Sequence, residues 1–197
     1  MNPLVTKLPT ALKVDGEIYP IHSDYRTCLK IMLAFEDEEL SIFEKQSVML
    51  RCLFGDNIPE NTADALRLAV KFLNCGEESN TNDEPVTQQC GRLYSFDKDA
   101  QYILTAINQT HGINLERENP HWWLFVYMFM DLKEDCFFNR ILYLRRQKQK
   151  GKLTPDEQKT WYEMRDILDL ESENPAESDD NLNEFLTALN GGIVLEK

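Results

Sequence analysis

The side chains that could do chemistry in this sequence are three histidines (His22, His111, His121), five cysteines (Cys28, Cys52, Cys75, Cys90, Cys136) and 34 Asp and Glu. A metal site needs His or Cys ligands three or four residues apart on one helix face, or a Cys-x-x-Cys pair. Neither spacing occurs, so no metal ligand is expected. An odd number of cysteines with no close pair also speaks against a disulfide framework. Cys28, Cys52 and Cys136 fall inside apolar helical patterns, where a free thiol packs as a small hydrophobe. There is no GxSxG, Walker-type glycine loop, HExxH or GxGxxG. Acid pairs such as Asp97/Asp99 and Glu171/Glu173 read as solvated faces. His121, between Pro120 and Trp122-Trp123, suits a hydrogen bond at a helix start better than work as a general base. No catalytic residue and no cofactor are expected.

One charged segment stands apart. From Arg140 to Lys152 there are six bases (Arg140, Arg145, Arg146, Lys148, Lys150, Lys152) and no acid. Such a cluster can meet phosphate, an acidic protein surface, or this chain's own acidic residues. Arg145, Arg146 and Lys148 are the candidate contacts. The whole chain carries 21 Lys and Arg against 34 Asp and Glu, a formal charge of -13. That field repels nucleic-acid backbones, so a protein partner is the better reading of the basic segment.

Helices must position these groups. Asp15-Gly16 between two short β-prone runs predicts a hairpin with a type I′ turn. Ser23 or Asp24 can cap a helix carrying Tyr25, Cys28, Leu29, Met32, Leu33 and Phe35. A second helix carries Leu40 to Phe54 and closes at Gly55, and a third starts near Pro59 and runs to Gly76. Residues 1–76 are therefore expected as a hairpin plus a three-helix block. Residues 77–90 hold four acids and no base and almost nothing apolar, which places an acidic linker or long loop at 77–93.

A second helical block is expected over 94–171. Ser95 is its first N-cap candidate, and His111-Gly112 stops that helix. The run His121–Met130, with Trp122 and Trp123, is apolar nearly all round and belongs in a bundle centre or an assembly interface. A further helix from Cys136 to about Lys148 sets Phe137, Ile141 and Leu144 on one face. Thr154-Pro155-Asp156-Glu157 spells a capping box for a helix bearing Trp161, Met164, Ile167 and Leu168. Residues 172–197 form an acidic tail in which Leu182, Phe185, Leu186 and Leu189 recur at helical spacing. That spacing suits a docking helix as well as one folded back on its own domain. The fold class is mainly α.

Hydrophobic residues make up 42% of the chain and aromatics 10%, enough apolar surface for a real core. No stretch reaches the roughly 18 apolar residues that span a bilayer, and the N-terminus lacks the apolar run of about 7–15 residues that a signal peptide needs. A soluble intracellular protein without membrane contact is expected.

The order YSFDKDAQYILTAINQTHGINL, HWWLFVYMFMDL, KLTPDEQKTWYEMRDIL resembles the bacteriophage gp-fifteen family of Gram-positive phages and prophages over roughly residues 10–170. Its most specific parts are Tyr94–Asp99, His121-Trp122-Trp123 and Lys152–Tyr162. Genes of this family typically lie between those for the major tail protein and the tape-measure protein, the place of tail assembly chaperones. The resemblance thus implies a non-enzymatic protein of the bacterial host's cytoplasm. It would bind the unassembled tape-measure protein and keep it soluble until the tail tube polymerises. The tail-tube protein or a second chaperone is a further partner, and copies of the chain could self-associate. The family implies no catalytic residues. Candidate partner contacts are Leu182, Phe185, Leu186, Leu189, Arg145, Arg146, Lys148, Trp122 and Trp123. Rival readings are a structural component of the mature tail and a phage protein recognised by a host factor or immune sensor.

Overall fold

The computed structural model describes residues 2–77 and 92–170. It is mainly helical, with one two-stranded antiparallel sheet near the N-terminus. The residues divide into two compact units. The first takes in 2–77 and Glu116–Tyr127, the second 92–115 and 128–170.

In the first unit, β1 (Ala11–Val14) pairs with β2 (Glu17–Pro20), Val14 opposite Glu17 and Ala11 opposite Pro20. Asp15 (φ 49°) and Gly16 (φ 88°) both take positive φ, as the expected turn demands. Pro20 has no N–H to offer a further strand. Helix α1 (Tyr25–Glu36) is capped by Asp24, whose side chain accepts from the Thr27 N–H. Helix α2 (Ile42–Phe54) opens on a capping box in which Ser41 and Glu44 bond each other's backbone N–H, and closes at Gly55. Helix α3 (Thr62–Leu73) begins three residues after Pro59, not at it. Asn61 takes the N-cap because its carbonyl oxygen accepts from the Asp64 N–H, while its amide donates to Asp15 in the hairpin turn at 3.2 Å.

The expected single cut at 77–93 omits a return of the chain. Residues Glu116–Tyr127, which the sequence reading gave to the second block, pack within the first unit. The Trp122 N–H donates to Ser23 O at 2.7 Å and the Tyr25 N–H to Pro120 O at 3.0 Å, which forms a short bridge between Asp24 and His121. Helix α5 (Trp122–Met130) stacks Phe125 on Tyr25, ring centroids 5.1 Å apart. The boundary between the units falls inside α5, after Tyr127.

The second unit holds α4 (Ala100–His111), the end of α5, α6 (Phe137–Gln149), α7 (Pro155–Glu163) and α8 (Arg165–Leu168). Gly112 ends α4 in the left-handed conformation and the Thr154–Glu157 capping box opens α7, both as expected. Ser95 does not cap α4. Its hydroxyl accepts from Asp97 and Lys98 N–H groups in a turn before the helix, and Asp99 takes the N-cap position with no capping bond of its own. The expected last helix is two, broken at Met164 (φ -112°). The α6 face is also rotated from expectation: Phe137 is 43% exposed, and Phe138, Ile141, Leu142, Leu144 and Arg145 are buried. Phe138 sets that rotation by packing with Phe129 (5.7 Å) and Tyr94 (6.5 Å) in an aromatic cluster.

Candidate interaction surface

Arg145 lies at the centre of the second unit. Seven residues after Phe138 and four after Ile141, it stands in the apolar stripe of α6 and is 2% exposed. Its guanidinium meets the Asp99 carboxylate twice, Nη1 to Oδ2 at 2.6 Å and Nη2 to Oδ1 at 3.0 Å. The remaining donors serve backbone carbonyls of Leu168 (2.8 Å), Leu93 (2.9 Å) and Ile167 (2.8 Å). Asp99 Oδ2 also accepts from the Ser95 N–H at 3.0 Å. A buried charge pair persists only when its other hydrogen-bonding sites are filled, which these five bonds to Arg145 accomplish. The pair joins the residues leading into α4 to α6 and, through the Ile167 and Leu168 carbonyls, to α8. Arg145 is thereby removed from the surface role the sequence suggested.

Trp122 (1% exposed) and Trp123 (4%) are likewise interior side chains of the first unit and not surface contacts. The Trp122 indole N–H donates to Leu73 O at 2.9 Å and that of Trp123 to Phe72 O at 2.7 Å. The Trp122 donor fills a Leu73 carbonyl that helix α3 leaves open at its C-terminal end, whereas the Phe72 carbonyl also accepts from the Cys75 N–H at 3.1 Å. Gly76 follows at φ 88°, and a Cβ there would come within 3.0 Å of the Trp123 ring, so both the conformation and the close approach call for glycine.

His121 works as the sequence suggested. Its Nδ1 accepts from the Trp123 N–H at 3.1 Å, which requires the proton on Nε2, and Nε2 donates to Pro9 O at 2.9 Å. Burial lowers its pKa below the usual 6.5, only partly opposed by the Pro9 carbonyl. Protonation would set an Nδ1–H against the Trp123 N–H.

Of the described cysteines, Cys28 is buried as a small hydrophobe and Cys52 and Cys75 are half-buried. Burial pushes the Cys28 thiol far above its ordinary range, raises Cys52, and with Glu77 pushes Cys75 up to about 12. None of these three is poised as a thiolate nucleophile at neutral pH. Among the described residues no group of three His, Cys, Asp or Glu is arranged to hold a metal ion, and no helix is long and apolar enough to cross a membrane.

What remains outward is the end of α6 and the start of α7. Arg140, Lys148, Lys150 and Lys152 are exposed and Arg146 is half-buried. A cleft of about 300 Å³ opens there, lined by Lys148, Gly151, Leu153, Gln158, Trp161 and Tyr162. Lys148 Nζ stands 5.5 Å over the Trp161 ring, and Tyr162 is 73% exposed. Tyr143, 49% exposed, donates its hydroxyl to Glu157 at 2.9 Å beside the α7 capping box. A basic rim over aromatic and aliphatic walls can take a peptide that is both acidic and apolar. Leu182, Phe185, Leu186 and Leu189 lie outside the described residues.

These features define a mainly α-helical protein whose buried charged pair, Asp99 and Arg145, holds helices together. The chain belongs to the family described as Bacteriophage Gp15 protein, whose sequence pattern matches residues 4–170. No curated protein and no solved structure matches it.

Proposed function

We propose that this phage protein is a non-enzymatic tail assembly chaperone that works in the cytoplasm of the bacterial host. It holds the unassembled tape-measure protein in solution and releases it as tail-tube subunits polymerise. Membership of the Gp15 family across residues 4–170 is the observation that carries this reading. The chemistry of such a task agrees with it. A tape-measure chain offers long apolar helical faces that aggregate unless covered, and a covering protein needs apolar contacts together with charge that keeps the complex dissolved. The chain supplies a net charge of -13. It also keeps large apolar side chains outside both cores: Ile18 and Phe43 in the first unit, Leu104 and Tyr143 in the second.

Co-expression with the tape-measure protein, followed by size-exclusion chromatography with light scattering, tests the proposal. The expected result is a soluble complex of several copies per tape-measure chain, with the tape measure insoluble alone. A tape measure that stays insoluble beside an indifferent monomer overturns it. Mass spectrometry of purified virions separates a chaperone, absent from the particle, from a retained tail component.

A further inference from the structure

The charge of this chain is unevenly shared. The second unit carries 11 Lys and Arg against 10 Asp and Glu, whereas residues 171–197 carry one Lys against seven Asp and Glu. Arg145 and Asp99 neutralise each other inside, so the surplus base of that unit shows at the end of α6. There Lys148 lines the cleft walled by Leu153, Trp161 and Tyr162, and the exposed Lys150 and Lys152 flank its Gly151 in sequence. The acidic segment has the matching pattern: Asp179, Asp180 and Glu184 interleave with or flank Leu182, Phe185, Leu186 and Leu189, spaced at i, i+3, i+4 and i+7.

We infer that the α6–α7 cleft is a peptide-docking site whose occupant is the chain's own segment 179–189, its leucines and Phe185 against Trp161 and Tyr162 and its carboxylates against the lysine rim. The tether permits it. Leu170 belongs to the same unit as the cleft, and Leu182 lies 12 positions further along the chain. Twelve extended residues reach up to about 40 Å, several times the ~11 Å radius of gyration expected for a compact unit of this length. A tethered ligand is present at millimolar effective concentration, so weak individual contacts suffice. The inference stands independently of what the tape-measure protein binds.

Zero-length carbodiimide coupling of the full chain tests this directly, because it joins a lysine amine to a carboxylate only when the two touch. An equal mixture of unlabelled and ¹⁵N-labelled protein is coupled, digested and read by mass spectrometry. Lys148, Lys150 or Lys152 is expected to join Asp179, Asp180 or Glu184 within chains of one isotope. Loss of three exposed charge pairs is worth about tenfold, so 1 M salt should cut the yield by about that factor. Phe185→Ser/Leu186→Ser, which alters no charge, should cut it as well, with circular dichroism confirming an unchanged fold. The inference is overturned if these lysines join no carboxylate of 171–197, or if mixed-isotope pairs are as common as same-isotope pairs. It is equally overturned if the apolar substitutions leave the yield unchanged.

Discussion

The two units close around opposite kinds of polar contact. In the first, a returning segment is held by neutral donors: the indole N–H groups of Trp122 and Trp123 on the Leu73 and Phe72 carbonyls, and the His121 ring between Pro9 and Trp123. In the second, a charged guanidinium gathers a carboxylate and three carbonyls. Both solve the same problem, since helix ends and loops leave carbonyls that must be filled once water is gone. The solutions differ in what failure costs. Losing a neutral donor strands one carbonyl, whereas losing one member of an ion pair strands a charge.

The largest effect should therefore come from the second unit. Arg145→Met leaves the Asp99 side chain without its guanidinium partner in the core, and is expected to lower stability by about 3–5 kcal/mol. Urea denaturation measures the loss, and hydrogen exchange locates it in 92–115 and 128–170. Adding Asp99→Leu should restore part of the stability, though not all, because the Leu93, Ile167 and Leu168 carbonyls still lack their donor. Equal loss of protection in both units would show that they unfold as one and would dissolve the contrast.

In the first unit, Trp122→Phe keeps an aromatic ring but removes the donor to Leu73 O, with an expected loss of about 1–3 kcal/mol. Hydrogen exchange should report it in 2–77 and 116–127. A cost as large as that of Arg145→Met would mean that neutral and charged closures are equally fragile. The capping boxes give a control in which the units should agree: Ser41→Ala and Thr154→Ala each remove one cap and should each cost about 1 kcal/mol in thermal melts.

Acid should separate the units again. The folded pKa of His121 lies below its unfolded value of 6.5, so as the pH falls below that value the unfolded chain takes up the proton first. Stability of the first unit is then complete above pH 6.5 and declines as the pH drops toward the folded pKa. His121→Gln should flatten this dependence in melts at a series of pH values, and an unaltered slope would remove His121 as its source.

The local features were legible because their causes lie within a few residues. Asp15-Gly16 must turn with positive φ, Asp24 and Thr154 sit three residues before N–H groups they can fill, and Gly112 can take the left-handed cap. The Ser41-x-x-Glu44 box carried the same signature and could have been found by the same rule. His121 announced its helix-start bond through its place before an apolar helix. Arg145 gave a fainter signal, a base in register with Phe138 and Ile141, which a reading of the basic run as one surface concealed. Position in a stripe, rather than residue type, separated the buried arginine from the exposed Lys148.

Sequence alone determined the helical class, the hairpin, the caps at Asp24, Gly55, Gly112 and Thr154, and the family to which the chain belongs. Those depend on short-range backbone sterics and on patterns that persist along the chain. Only the tertiary structure decided that residues Glu116–Tyr127 return to the first unit, that Phe138 rather than Phe137 points inward, and that Arg145 pairs with Asp99 across 46 positions. Each of those outcomes depends on which distant carbonyl, ring or carboxylate is left to be filled when helices pack, and no local pattern encodes that.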